Sequence, residues 1–242
     1  MSTRTSDPGK TRRERAAALR VAQQRTERRR RTLIWAAVVI IFLAAAGVIT
    51  GVSLSASAGK KKAATPTGQL GPEGIALQAG TPLAPNTTAA KGSTVQGVQC
   101  SGGEQVAYHI HTHLAVYVNG VLRPISPGIG TVAPVAQQTA NGVFDSASSC
   151  YYWLHVHAQD GVIHVESPTN GTYTLGQFFA IWGQPLSKTQ VGPATGTLTV
   201  YVNGKQYSGD PKAIPLASRE DIQLDVGTPV PPKAVDWSHS QL

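Results

Sequence analysis

From residue 108 onward, apolar and polar side chains alternate in short bursts with a period of two, the signature of half-buried strands rather than helices. Tyr108-His-Ile-His-Thr-His-Leu-Ala-Val-Tyr-Val runs into Asn119-Gly120, so it reads as a strand ending at a type I′ turn. Alternation places His109, His111 and His113 on one face of that strand and Ile110, Leu114, Val116 and Val118 on the other. Residues 151–167 repeat the arrangement around Asp160-Gly161, another strong two-residue turn signal. A tight turn there predicts His157 opposite His164 and His155 opposite Glu166. One face of the hairpin then carries His155, His157, His164 and Glu166, and the other carries Leu154, Val156, Ala158, Ile163 and Val165. Directly opposed Cβ atoms lie roughly 4.5–5.5 Å apart, near enough for facing side chains to share one metal ion.

The remaining pattern is sparser. Residues 172–183 predict the one helix of this region, with Thr174 as N-cap, an apolar stripe of Leu175, Phe178, Phe179 and Trp182, and Gly183 as terminator. Residues 198–202 and 222–226 read as further strands. Val-Tyr-Val-Asn-Gly occurs at 116–120 and again at 200–204, which reads either as convergence on the usual Asn-Gly type I′ turn or as a duplicated hairpin whose second copy lacks histidine. Residues 125–134 read as a Gly/Pro loop, 135–149 are small and polar, and 229–232 begin a stiff tail. The expected fold is mainly β, sandwich-like, built of antiparallel hairpins with one packed helix.

Charge divides the chain. The net charge of +8 is concentrated in residues 1–32, which hold eleven basic and three acidic residues. From residue 92 to the end there are six basic and nine acidic residues, which argues against a nucleic-acid-binding domain. Residues 33–54 carry no charge, and 22 residues of helix span roughly 33 Å, enough for a hydrocarbon core of about 30 Å. The basic flank predicts a cytoplasmic N-terminus and an exported C-terminal part, since the run is longer than the apolar part of a cleaved signal peptide. The expected organisation is a basic tail over 1–32, a single transmembrane helix over 33–54, a flexible linker over 55–71 and an extracytoplasmic β-rich domain over 72–242. In an exported domain, Cys100 and Cys150 are expected to form a disulfide.

Six of the seven histidines sit on the non-core faces of the two β segments. Imidazole suits zinc, copper, iron and nickel, so His109, His111, His113, His155, His157, His164 and Glu166 form the candidate ligand set. Copper or zinc is the expected cofactor, in one site or a dinuclear one. No phosphate-binding loop, nucleophile elbow, His-Glu-x-x-His or Cys-x-x-Cys motif occurs, and Met1 is the sole methionine. The candidate functions are metal delivery, sensing or buffering at the outer membrane face, a hydrolytic or oxidative metalloenzyme with Glu166 as general base, and a metal-free structural protein that binds an envelope protein partner. His239, in the tail, is the weakest ligand candidate.

The motifs at Cys100, Glu104, His109-Ile-His-Thr-His-Leu-Ala-Val-Tyr-Val-Asn-Gly, Ile129-Gly130, Leu154-His-Val-His, Asp160-Gly-Val-Ile-His-Val-Glu-Ser-Pro and Thr174-Leu-Gly-Gln-Phe-Phe resemble those of a group of bacterial and archaeal membrane-anchored exported domains. The likeness covers roughly residues 72–230 and implies one domain there. It transfers no catalytic residue. The His-x-His strands also look like those of copper–zinc superoxide dismutases and cupins, but the remaining ligand order of either is missing.

Overall fold

The computed structural model describes residues 68–240 and 242. The basic tail, the expected membrane span over 33–54 and most of the linker lie outside the described residues. Among the described residues, no helix is long and apolar enough to cross a membrane.

In chain order the strands are β1 (Cys100–Ser101), β2 (Tyr108–Val118), β3 (Val121–Leu122), β4 (Thr131–Thr139), β5 (Gly142–Tyr152), β6 (Leu154–His155) and β7 (Val162–Ser167). Helix α1 (Leu175–Trp182) follows, then β8 (Leu186–Ser187), β9 (Gln190–Val191), β10 (Ala194–Thr195), β11 (Leu198–Val202), β12 (Lys205–Tyr207) and β13 (Glu220–Val226). The main sheet has the order β12-β11-β13-β2-β7-β6, with β3 also on β2. A ribbon β1-β5-β4 and a small meander β10-β9-β8 form two further sheets. The fold is thus mainly β with one α-helix among the described residues. It departs from all-antiparallel pairing at one ladder, where β13 runs parallel to β2.

Each face of the main sheet follows from alternation. Leu114 and Val116 of β2, Ile163 and Val165 of β7, and Ile222, Leu224 and Val226 of β13 belong to the apolar core. Helix α1 contributes Leu175, Phe178, Phe179, Ile181 and Trp182 to the same core, each large side chain contributing roughly 1.5–3 kcal/mol. Thr174 and Gln177 form a reciprocal capping box, and Gly183 closes the helix in the left-handed conformation. The other face of the sheet is polar, yet it is covered. The lead-in of residues 72–78 crosses it, with Gln78 Nε2 donating to the Leu114 carbonyl oxygen. The tail fixes its own backbone to β13: the N–H groups of Val230, Lys233 and Val235 donate to Asp225, Gln223 and Asp221.

Both Val-Tyr-Val-Asn-Gly segments form the expected turns. Asn119 and Gly120 have φ of 50° and 81°, and Asn203 and Gly204 have 51° and 74°, the left-handed pair that a type I′ turn needs. The two turns cap opposite ends of β13, through Asn119 N–H on Val226 O and Asn203 N–H on Asp221 O.

Two expectations are corrected. Residues 131–134, expected as part of a loop, and the small polar residues 135–149 belong to a long hairpin, β4–β5, with a bulge between Val132 and Pro134. Most of β4 is exposed, so no buried face imposes alternation on its sequence, and a proline at a bulge costs no ladder hydrogen bond. The hairpin around Asp160-Gly161 is also looser than a two-residue turn. His155 pairs with His164 and Leu154 with Val165, leaving residues 156–161 as the connection. Asp160 is buried and accepts the Val162 N–H.

Gly161 is fixed by its surroundings. Its φ is +85°, and an added Cβ would lie 2.5 Å from the Leu114 carbonyl oxygen and also collide with the Gln78 and His113 side chains. Gly161→Ala combines left-handed strain with overpacking and is expected to cost about 2–5 kcal/mol. Chemical denaturation measures this, and an unchanged midpoint would contradict the packing around residue 161.

Candidate metal centre

Strand register brings the imidazoles together. In the β2–β7 ladder His109 pairs with Glu166 and His111 with His164, and on the far side of β7 His155 pairs with His164. His164 therefore lies at the middle of three strands. Its ring centroid is 4.6 Å from that of His111, 5.2 Å from His155 and 4.6 Å from His157. His157 lies beyond β6, but β5 holds it: the ring stacks on Phe144 at 4.2 Å, and Nδ1 is 2.7 Å from the Asp145 carbonyl oxygen. One donor atom from each of His155, His157 and His164 lies within 4.8 Å of the others, as do those of His109, His111, His164 and Glu166.

Hydrogen bonds at the far side of each ring decide which nitrogen faces inward. His155 Nδ1 is 2.8 Å from the Tyr152 carbonyl oxygen. A carbonyl oxygen only accepts, so Nδ1 carries the proton in both His155 and His157 and each Nε2 is a lone pair. These two Nε2 atoms face each other at 3.1 Å. Two lone pairs at that distance repel unless a cation or a shared proton lies between them. Burial and the neighbouring histidines push His155 well below its ordinary range, and burial takes His157 down to about 4, so a proton is the poorer solution. At metal–nitrogen distances of about 2.0–2.1 Å, neighbouring ligand nitrogens lie about 2.9 Å apart at a right angle and about 3.4 Å apart at the tetrahedral angle. The observed spacing falls between these.

His164 has the same design with a carboxylate. Nε2 is 2.6 Å from Glu73 Oε1, and Nδ1 is 3.2 Å from Glu166 Oε1. Burial opposes charge on this ring, but the two carboxylates prevail and push it up to about 10. Burial likewise opposes charge on Glu73, and His164 more than offsets it, holding that carboxyl below its usual range. Asp160 is displaced in the opposite sense: burial and the neighbouring Glu73 charge hold it well above the carboxylate range. His111 is pushed down to about 3, chiefly by burial, and its Nε2 has no hydrogen-bond partner among the described residues.

Carboxylates complete the cluster. Glu166 Oε1 is 2.9 Å from His109 Nε2. Its Oε2 is buried, without a partner among the described residues, and 4.0 Å from His155 Nε2. Glu104, in the loop after β1, reaches within 3.5 Å of His157 Nε2. The disulfide between Cys100 and Cys150, with Cα atoms 5.5 Å apart, ties this loop to the end of β5.

Six of the seven sequence-derived candidates converge. His113 stands apart, its Nδ1–H donating to Asp221 Oδ1 at 3.0 Å and its Nε2 accepting from Gln78 at 3.1 Å, so neither nitrogen has a free lone pair. His239 lies in the tail, and its backbone adjoins Gly74. Glu73, in contact with His164, is a residue of the cluster that the strand pattern missed. The signal was present, because Glu73 is the sole charged residue between positions 63 and 90, in a segment whose Gly and Pro content otherwise marks a connector. No protein-family model, curated protein sequence or solved structure matches the chain.

Proposed function

We propose that this chain is a membrane-tethered, extracytoplasmic protein that binds divalent copper or zinc through a buried histidine centre. The observation that carries the reading is the facing pair of His155 and His157 lone pairs, each imposed by a backbone carbonyl on the far side of its ring. His164, braced by Glu73, supplies a third imidazole of the same design, and metal-ligating histidines typically donate their other N–H to such acceptors. Both cysteines are consumed by the disulfide and Met1 is the sole methionine. The donors are thus imidazole and carboxylate, which suit divalent copper or zinc better than copper(I). The disulfide also fits an oxidising compartment. The unpartnered Oε2 of Glu166 beside His155 provides a fourth donor, which favours holding a metal over the open coordination position of a hydrolytic site.

Elemental analysis of the full-length chain, purified in mild detergent and re-titrated after chelator treatment, tests the proposal. Retention or tight uptake of copper or zinc is expected, and a protein that takes up neither refutes it. Glu73→Gln keeps an acceptor near His164 but removes the charge. It is expected to weaken metal affinity by about 10–100-fold, as read by competition with a chromophoric chelator.

A further inference from the structure

The inner donors described so far leave His109 and His111 unused, and these two face elsewhere. Both line an open cleft with Ile110, Ser218 and Arg219. The His109 side chain is 36% exposed, so the cleft reaches solvent through this ring. His111 lies behind it, with ring centroids 4.5 Å apart and a buried Nε2 that has no hydrogen-bond partner among the described residues. A buried, unpartnered ring nitrogen costs free energy unless something binds it.

Glu166 links this outer pair to the inner one. Oε1 lies 2.9 Å from His109 Nε2, and Oε2 faces His155 Nε2 at 4.0 Å. Its position opposite His109 on the β2–β7 ladder fixes this two-sided placement. Resting on the metal-binding reading above, we infer that His109, His111 and Glu166 Oε1 form an outer site for a second divalent transition metal, and that the Glu166 carboxylate bridges it to the inner ion. One donor atom from each of these three residues and from His164 falls within 4.8 Å of the rest, compact enough for a single ion. Carboxylate-bridged ions in two-metal centres lie about 3.5–4 Å apart. The outer site faces the cleft, whereas the rings of His155 and His157 are buried.

The test uses the full-length chain in detergent, titrated with zinc for stoichiometry and with copper(II) for magnetic resonance. The expected result is two equivalents per chain, with the second lost in His111→Ala and weakened more than about tenfold in His109→Ala, whose exposed ring is removed with least risk to folding. Loaded with two copper(II) ions, the bridged centre should show spin coupling, seen as signal loss and a half-field transition. Uptake of one equivalent by the native chain would overturn the second site while leaving the inner one intact, and uptake of none would remove both. Two equivalents that survive the double variant of His109 and His111, or two magnetically independent copper ions, would also overturn it.

Discussion

His157→Ala is expected to lower the affinity for divalent copper or zinc by more than about 100-fold. Outer partners of a metal-binding ring typically change affinity 10–100-fold, and a direct ligand exceeds that. His157 is placed for the direct role by three independent constraints: the Asp145 carbonyl fixes its tautomer, Phe144 fixes its plane, and His155 Nε2 faces it at 3.1 Å. His155→Ala should match it, because the same space loses the other member of the pair. His113→Ala should leave affinity within a fewfold of native while reducing stability, since it strands Gln78 and Asp221. His239→Ala should leave both unchanged. Isothermal titration of the four variants separates these cases, and equal small losses across all four would mean that the cluster is not a defined site.

The histidine face was legible in the sequence because strand alternation is insensitive to the slip that occurred. The tight turn at Asp160-Gly161 would set His155 against Glu166, whereas the structure sets it against His164. The strand slides by two residues, so every side chain keeps its face, and the set of facing histidines survives an incorrect register. The lack of a buried face hid the β4–β5 ribbon. Its outward residues meet solvent rather than core, and without a buried side no period appears in their polarity. The contacts that Glu73, Gln78 and Asp221 make with the histidines were hidden for a different reason. Each reaches the histidine-bearing face from a segment distant in sequence, and only the parallel β13–β2 pairing and the crossing lead-in bring them there. Alternation tells which side chains share a face but not what covers that face. Here the surroundings determine which histidines keep a free lone pair: Gln78 and Asp221 occupy both nitrogens of His113, and Glu73 and Glu166 hold both nitrogens of His164, whereas His155 and His157 each keep a free Nε2.

That difference yields a sharp expectation for pH. His164 is held to about 10 by Glu73 and Glu166, so metal binding at its Nδ1 must expel one proton throughout the range from about pH 6 to 9. His155 and His157 are already neutral there, because burial depresses both, His157 to about 4. Apparent affinity should therefore fall about tenfold for each unit of acidification, about 1.4 kcal/mol per unit, with a slope of one proton. Three unperturbed histidines would instead give no slope above about pH 7 and a slope approaching three below 6. Folding of the metal-free chain is expected to carry the same signature with two signs. For His157 the unfolded chain binds the proton first, so stability falls as pH drops from about 6.5 toward 4. For His164 the folded chain holds the proton longer, so its contribution is complete below about 6.5 and is lost as pH rises through 10. Denaturation midpoints of metal-free protein should pass through a maximum near pH 6.5, and metal affinities over pH 6–9 should plot as one straight line of unit slope. A flat affinity profile over that range would exclude His164 as a ligand, whatever the outcome for His155 and His157.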